Sequence, residues 1–235
     1  MTSSLDDQAA VRRQYRDERG LLTRASIWRP PVDGVTPQDL VIAELGHREP
    51  TSILEIGCGT GALAERIHTS LPAASMLATD QSARMVELTA ARGVPAVIAD
   101  ADDLPFAAGS YQAVVAAWML YHVPRIDHTL TEVRRVLADG GVFIAVTNGN
   151  DHLAGLLGAA GASGSPYQFG RENGEALLRH HFGTVEARHL TPLAVANHAE
   201  AVRYLASSQP EAAARLPRYD GERTYRGAVT VFIAS

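Results

Sequence analysis

The sequence predicts an α/β fold: a doubly wound, mostly parallel sheet with helices on both faces. Three observations carry this. From residue 51 onward short apolar runs alternate with stretches of helical spacing, the pattern of βαβ units. The first run, Ile53-Leu54-Glu55-Ile56, passes through Gly57-Cys58-Gly59-Thr60-Gly61 into a helical pattern: a strand, a tight turn and a helix start. Two acids, Asp80 and Asp100, close the second and third runs.

Taken in order, residues 1–12 are polar and read as a solvated terminus. From Ala9 to about Arg24 the spacing is helical but highly charged, with Val11, Tyr15 and Leu22 along one sparse face. Arg29-Pro30-Pro31 breaks any helix, because proline lacks an N–H and restricts the residue before it. Gln38 to Gly46 forms a short helix through Leu40, Val41 and Leu45. The predicted strands are Ser52–Ile56, Ser75–Asp80, Ala96–Ala99, Gln112–Ala117 and Gly141–Thr147. Between them Leu63, Ile67 and Leu71 mark one helix. Ser82 caps a second through Met85 and Leu88, which Gly93 ends. Ile126, Leu130, Val133 and Leu137 mark a third, closed by Asp139-Gly140-Gly141. Residues 148–183 break the rhythm with Gly155, Gly158, Gly161 and Gly164, then resume a helix at Glu172–His181. Thr184–Leu190 reads as a strand, Ala199–Ala206 as a helix and Ala228–Ala234 as a final strand.

The chain has 235 residues, 46% of them apolar, which suits one domain with a substantial core. A net charge of −5, without a basic run interleaved with aromatics, argues against a nucleic-acid partner. The single cysteine, Cys58, excludes an intramolecular disulfide. No apolar run approaches the ~20 residues that cross a bilayer, and the start lacks a signal pattern. The expectation is a cytoplasmic protein without a membrane partner, monomeric or homodimeric. His180, His181 and His189 lack metal-ligand spacing, so no metal site is expected.

Open α/β sheets bind ligands beyond the carboxyl ends of their strands. Glycines in the turn let a ligand approach bare backbone, and the helix that follows favours an anionic or hydrogen-bond-accepting group. Asp80 stands nineteen positions after Gly61, a spacing that suits a ribose, since a carboxylate accepts from two vicinal hydroxyls. Asp80 can equally cap the helix near Ser82. Asp100, twenty positions further on, is either a contact for a ligand amine or one of several solvated acids in Ala99–Asp103. Asp102 and Asp103 read as mainly solvated. His122 is a candidate general base or a structural histidine at the strand end. Tyr15, Trp28, Tyr121 and Tyr167 are candidates to line an aromatic pocket.

Glu55-Ile56-Gly57-Cys58-Gly59-Thr60-Gly61 resembles motif I of the class I S-adenosylmethionine (SAM)-dependent methyltransferases. Ala78-Thr79-Asp80, Ala99–Phe106 and Leu120-Tyr121-His122-Val123 fit the same family, with the closest likeness to the subgroup acting on small molecules and quinones. The resemblance implies a Rossmann-like, seven-stranded sheet finished by a hairpin-like pair. It divides one methyltransferase domain into an N-terminal helical lid (1–48), a SAM-binding core (49–147), an acceptor-side insertion (148–183) and C-terminal strands (184–235). It implies SAM as cofactor, S-adenosylhomocysteine as product and a small-molecule acceptor methylated on O, N or C. The cofactor-binding set it implies is Gly57, Cys58, Gly59, Gly61, Asp80, Gln81, Asp100, Ala101 and Trp118. Arg24 is added on the cofactor carboxylate, with Tyr15 walling the methyl group. The Asn/Asp-Pro-Pro-aromatic motif of nucleic-acid amino methyltransferases is absent after the fourth strand. A SAM-binding protein without turnover and a nicotinamide-dependent oxidoreductase are the alternatives; the glycine spacing counts against the second.

Overall fold

The computed structural model describes residues 19–29 and 34–235. Apolar residues alternate along each central strand, so each strand feeds two separate cores. On one face Ile53, Ala113, Val115, Ile144 and Val231 meet Val41, Leu45, Leu63 and Ile67. On the other, Leu54, Ile56, Val114, Ala116 and Phe143 meet Leu130, Val133, Phe169 and Leu178. A sheet covered on both faces must have near-continuous apolar strands, and that is what the sequence supplies.

In chain order the helices up to α7 are α1 (Arg19–Ala25), α2 (Pro37–Arg48), α3 (Ala62–Ser70), α4 (Ala83–Ala91), α5 (Ile126–Val136), α6 (Ala154–Ala159) and α7 (Gly174–Arg179). The strands are β1 (Ser52–Ile56), β2 (Ser75–Asp80), β3 (Ala96–Ile98), β4 (Tyr111–Ala117), β5 (Leu137–Asn148) and β6 (Val185–Leu190). After β6 come β7 (Leu193–Asn197), α8 (His198–Ala206), α9 (Pro210–Arg215), β8 (Glu222–Arg226) and β9 (Val229–Ala234). The main sheet has seven strands in the order β3-β2-β1-β4-β5-β9-β6. Strands β1 to β5 pair in parallel, and β9 is antiparallel to both neighbours. The expected mostly parallel sheet with a terminal antiparallel pair is present. The order reverses at β1, and there the carboxyl-edge crevice opens.

Two elements differ from the sequence reading. Strand β5 starts at Leu137 rather than at Gly141, since Leu137 already pairs with Tyr111 across an irregular register. The stretch between β6 and β9 does not join the sheet. It forms a separate β7–β8 pair, packed with α6, α8 and α9 into a third apolar cluster. That cluster also takes up Ile27 from the N-terminal segment, which is 1% exposed. Backbone bonds fix the segment there: Val195 N–H donates to Ile27 O at 2.8 Å, and Arg29 N–H to Leu193 O at 3.1 Å. Sequence spacing did not reveal this cap, because β7 and β8 are five residues each and lack a strong alternating pattern.

The α2 boundary follows from its cap. Thr36 and Asp39 exchange hydrogen bonds at 3.1 and 2.9 Å in a capping box, which satisfies orphan N–H groups at the helix start. Of the N-terminal pattern, Val11 and Tyr15 lie outside the described residues. Leu22, expected on the packed face, is 54% exposed; its neighbour Leu21 turns inward instead.

Candidate functional site

The crevice above β1 is built by the glycine turn. Gly57, Gly59 and Gly61 all have left-handed backbone, with φ of 70°, 54° and 77°. The three glycines serve different ends. A Cβ on Gly57 would lie 2.8 Å from Met119 Cβ, and one on Gly61 would lie 2.8 Å from Thr89 Cα. Those two are closed by packing of the following loop and of α4. Among the described residues, a Cβ on Gly59 would meet only Leu21 Cδ1, at 3.6 Å. Gly59 is therefore the position open to a ligand, and α1 lies over it. Cys58 is buried, with Sγ 3.2 Å from Thr89 Oγ1. Burial pushes its thiol up to about 12, so it is not a nucleophile at neutral pH.

Asp80 ends β2 and turns its carboxylate back onto the glycine turn. Oδ2 accepts from Gly59 N–H at 3.0 Å and Oδ1 from Ser82 N–H at 2.9 Å. The structure thus contains the helix-start contact that the sequence left as an alternative, while Ser82 makes no side-chain cap. These two bonds leave roughly half of the carboxylate's four acceptor sites for hydroxyls. Burial raises the Asp80 pKa, opposed by the backbone N–H donors of Ser82, Gly59 and Gln81.

Beneath it sits Glu55, 2% exposed, with Oε2 lacking a hydrogen-bond partner among the described residues. Desolvation, helped by the nearby Asp80 charge, pushes its carboxyl up to about 8. A buried carboxylate without a partner beside a second acid is costly when ionised. The arrangement favours a cationic ligand group above the turn.

Asp100 follows β3. Ala99 N–H donates to Asp80 O at 3.2 Å, so the two acid-bearing strand ends are tied together. Asp100 is exposed, and its Oδ1 accepts from Asp102 N–H at 3.0 Å in a tight turn. Gln81 is exposed and Ala101 half-buried beside them. Asp102 corrects the sequence reading. Far from being solvated, it is 6% exposed and holds the start of α5, through Thr129 Oγ1 and through Arg125 Nε at 3.2 Å.

On the other side of the turn, Trp118 follows β4 with φ 55°. Its backbone N–H donates to Val146 O at 2.8 Å, and its indole Nε1 donates to Asn148 Oδ1 at 3.1 Å. His122 lies in a 3-10 turn, Leu120–His122, 9% exposed, with its ring 4.5 Å from Tyr121. The Tyr121 ring in turn lies 5.2 Å from Tyr167. Residues 148–183 therefore contribute to this edge: Gln168 Nε2 also bonds Val123 O. Arg24 donates to Ser207 O at 3.3 Å, at the end of α8. Three residues after Leu21, it shares that residue's helix face. Trp28, a pocket candidate from the sequence, packs elsewhere: it pairs with Ala194 and lies 5.3 Å from His152 in the cap. Tyr15 lies outside the described residues.

Sequence reasoning missed Glu55 as a buried acid, Asn148 and Tyr204. Asn148 had a signal, being a polar residue straight after the apolar run of β5. Tyr204 had none, because the α8 face it occupies is set by the cap. No group of three or more potential metal ligands occurs among the described residues, and no described helix is long and apolar enough to cross a membrane.

Comparison with known proteins follows this geometry. Residues 54–145 match a family model described as "Methyltransferase domain". A ubiquinone/menaquinone biosynthesis C-methyltransferase of Desulfotalea psychrophila is 34% identical over 105 residues, covering 43% of this chain and 43% of the relative. A malonyl-[acyl-carrier protein] O-methyltransferase of Geobacter sulfurreducens is 36% identical over 100 residues, covering 40% of this chain and 38% of the relative. The match thus spans less than half of each relative. Among solved structures, a SAM-dependent methyltransferase of Thermotoga maritima superposes with a TM-score of 0.56 at 18% identity, covering 99% of both chains. At that identity the likeness is one of fold.

Proposed function

On the premise that residues 54–145 form a class I SAM-dependent methyltransferase domain, we propose that the protein methylates an O, N or C atom of a small organic molecule. The observation that carries this reading is the open Gly59 with Asp80 turned onto it at 3.0 Å. SAM supplies an electrophilic methyl on a sulfonium, whose departure as a neutral thioether needs no acid from the protein.

The residues present fit the cofactor. Asp80, at the end of β2, holds acceptor capacity for ribose hydroxyls. Asp100 and the backbone of Ala101, at the end of β3, suit the adenine edge. Glu55 gives a buried acid near the turn, protonated in the free protein, whose ionisation a cationic ligand end would favour. Arg24, on the face of α1 that covers the turn, suits the carboxylate. Leu21 excludes water from above.

For the acceptor, the ends of β4 and β5 supply Trp118, Tyr121 and Asn148, and the segment before α7 supplies Tyr167. Alignment of two reactants is the main rate term in such a transfer, so walls that orient a flat acceptor are the principal need. An oxygen acceptor also needs a base, and His122 is the titratable group placed for it. The two relatives, named for C- and O-methylation, leave the acceptor atom open within this class.

The test is a mixture of small-molecule extracts incubated with methyl-labelled SAM, followed by mass spectrometry, with calorimetric titration of S-adenosylhomocysteine and NADH alongside. Label should enter a small molecule, and S-adenosylhomocysteine should bind at least ~100-fold tighter than NADH, which also raises the melting temperature by linkage. Absence of heat and of a melting shift with both sulfur ligands sinks the reading.

A further inference from the structure

We propose, resting on the methyltransferase reading above, that Asp102 is a positioning residue. It couples the turn at the end of β3, which takes the adenine edge, to the turn after β4 that carries Tyr121 and His122.

Asp102 differs from the acids beside it. Asp100 and Asp103 are exposed, whereas Asp102 is 6% exposed. A buried carboxylate is costly unless it is paired, and the partners here come from the start of α5. Thr129 Oγ1 donates to Oδ1, and Arg125 Nε donates to Oδ2 at 3.2 Å. Arg125 is the cap residue of that helix and makes no side-chain cap of its own. An acid from a distant loop thus stands at the first turn of α5, where the helix dipole favours negative charge. The backbone of Asp102 serves the other side: its N–H donates to Asp100 Oδ1 at 3.0 Å. One residue therefore bonds the adenine-side acid with its main chain and the helix with its side chain.

The same helix holds the rest of this stretch. Leu104 N–H donates to Glu132 Oε2 at 3.0 Å. Arg135 donates to Leu104 O at 2.8 Å and to Phe106 O at 2.6 Å. The α5 partners at positions 125, 129, 132 and 135 are spaced by three or four, so residues 102–106 lie along one face of the helix. The connection at the other end is short. His122 closes the 3-10 turn, its N–H donating to Met119 O at 2.9 Å. Only Val123 and Pro124 separate it from Arg125. Proline fixes its own φ and restricts the residue before it, so this connection is stiff. A ligand seated on Asp100 and the Ala101 backbone restrains the Asp102 turn. Through Asp102 it restrains the start of α5, and with it the turn that carries Tyr121 and His122.

The test is amide hydrogen exchange of the full chain with and without saturating S-adenosylhomocysteine. Strand β9 lies between β5 and β6 in the sheet, so its amides report global stability, which a bound ligand raises for every core amide alike. Slowing elsewhere is read relative to them. In the wild type the amides of residues 57–61 and 100–104 should slow by direct contact. Those of residues 122–129 should slow about fivefold or more, the lower end of ordinary coupling between sites. Asp102→Ala, saturated in the same way, should keep the slowing at 57–61 and lose it at 122–129. Thr129→Val and Thr129→Ser separate hydrogen bonding from packing, and they decide the matter also if Asp102→Ala does not fold. Thr129 is fully buried; valine keeps its shape without the hydroxyl, and serine keeps the hydroxyl without the methyl. The serine variant should retain the slowing at 122–129, and the valine variant should lose most of it. Three results overturn the proposal: wild-type slowing confined to 57–61 and 100–104, slowing at 122–129 that survives Asp102→Ala or Thr129→Val, or its loss in Thr129→Ser. If S-adenosylhomocysteine neither binds nor slows any amide, the methyltransferase reading falls and this inference with it. If it binds and slows only the two ligand-contacting turns, the Asp102 assignment alone falls.

Discussion

At the scale of single residues, the carboxylates do unequal work. Asp80 receives two backbone N–H bonds and faces the turn, whereas Asp100 is exposed in its own tight turn. Asp80→Ala should cost roughly 2–4 kcal/mol of S-adenosylhomocysteine affinity, from a two-hydroxyl contact, and Asp100→Ala about 1–2 kcal/mol. Calorimetry on both variants checks the order. Glu55 makes a pH prediction. Its folded pKa of about 8 exceeds the ordinary carboxyl value of 4.5, so the folded state binds the extra proton between those values. The free protein is then favoured at low pH and loses stability as pH rises through that window. Glu55→Gln removes the titration but keeps the shape. The wild type's melting temperature should therefore fall, relative to the variant's, by on the order of 10–20 °C from pH 4.5 to 8. Parallel melting curves across that range would assign the carboxyl a normal pKa.

At the scale of elements, the glycine turn separates stability from binding. Gly61→Ala sets a Cβ 2.8 Å from Thr89 Cα at φ 77°. Backbone is in the way, so α3 and α4 must part, a loss of roughly 2–4 kcal/mol. Among the described residues Gly59→Ala meets only the Leu21 tip at 3.6 Å, so it should carry mainly the left-handed penalty, about 1 kcal/mol. Its methyl, however, stands where a ligand must approach. Gly59→Ala should melt close to wild type and fail to bind S-adenosylhomocysteine, while Gly61→Ala should show the larger drop in melting temperature. A Gly59→Ala protein that binds normally would move the ligand away from the turn.

At the scale of the whole molecule, the N-terminal segment joins the glycine turn to the cap. Leu21 lies over Gly59, Arg24 bonds the end of α8, and Ile27 is buried in the cap cluster. Cutting at residue 28 therefore does more than remove a cover. Losing Ile27 should destabilise the protein by about 1.5–3 kcal/mol, whereas removal of residues 1–25 keeps the strand-like anchor. The shorter deletion should remain folded and bind S-adenosylhomocysteine, with single-turnover rates lowered at least ~100-fold once an acceptor is known. Unchanged rates would leave the cover to residues 148–183.

Chain chemistry read in one dimension determined the sheet, the turn and the strand-end acids. Strands β1 and β2 fall on the bounds that apolar runs predict, because a strand buried on both faces is a local pattern. Asp80 and Asp100 were legible for the same reason: each ends such a run. What only tertiary structure decided is which residues face one another across long separations. Ile27 lies against β7 and Trp118 against Asn148; Tyr167 rests on Tyr121, and Asp102 beneath Thr129. None of these pairings leaves a periodic trace, because each depends on the closure of loops whose course is set by the cores they cover. The burial that turns Glu55 into a high-pKa acid comes from that closure, not from the residues on either side of it.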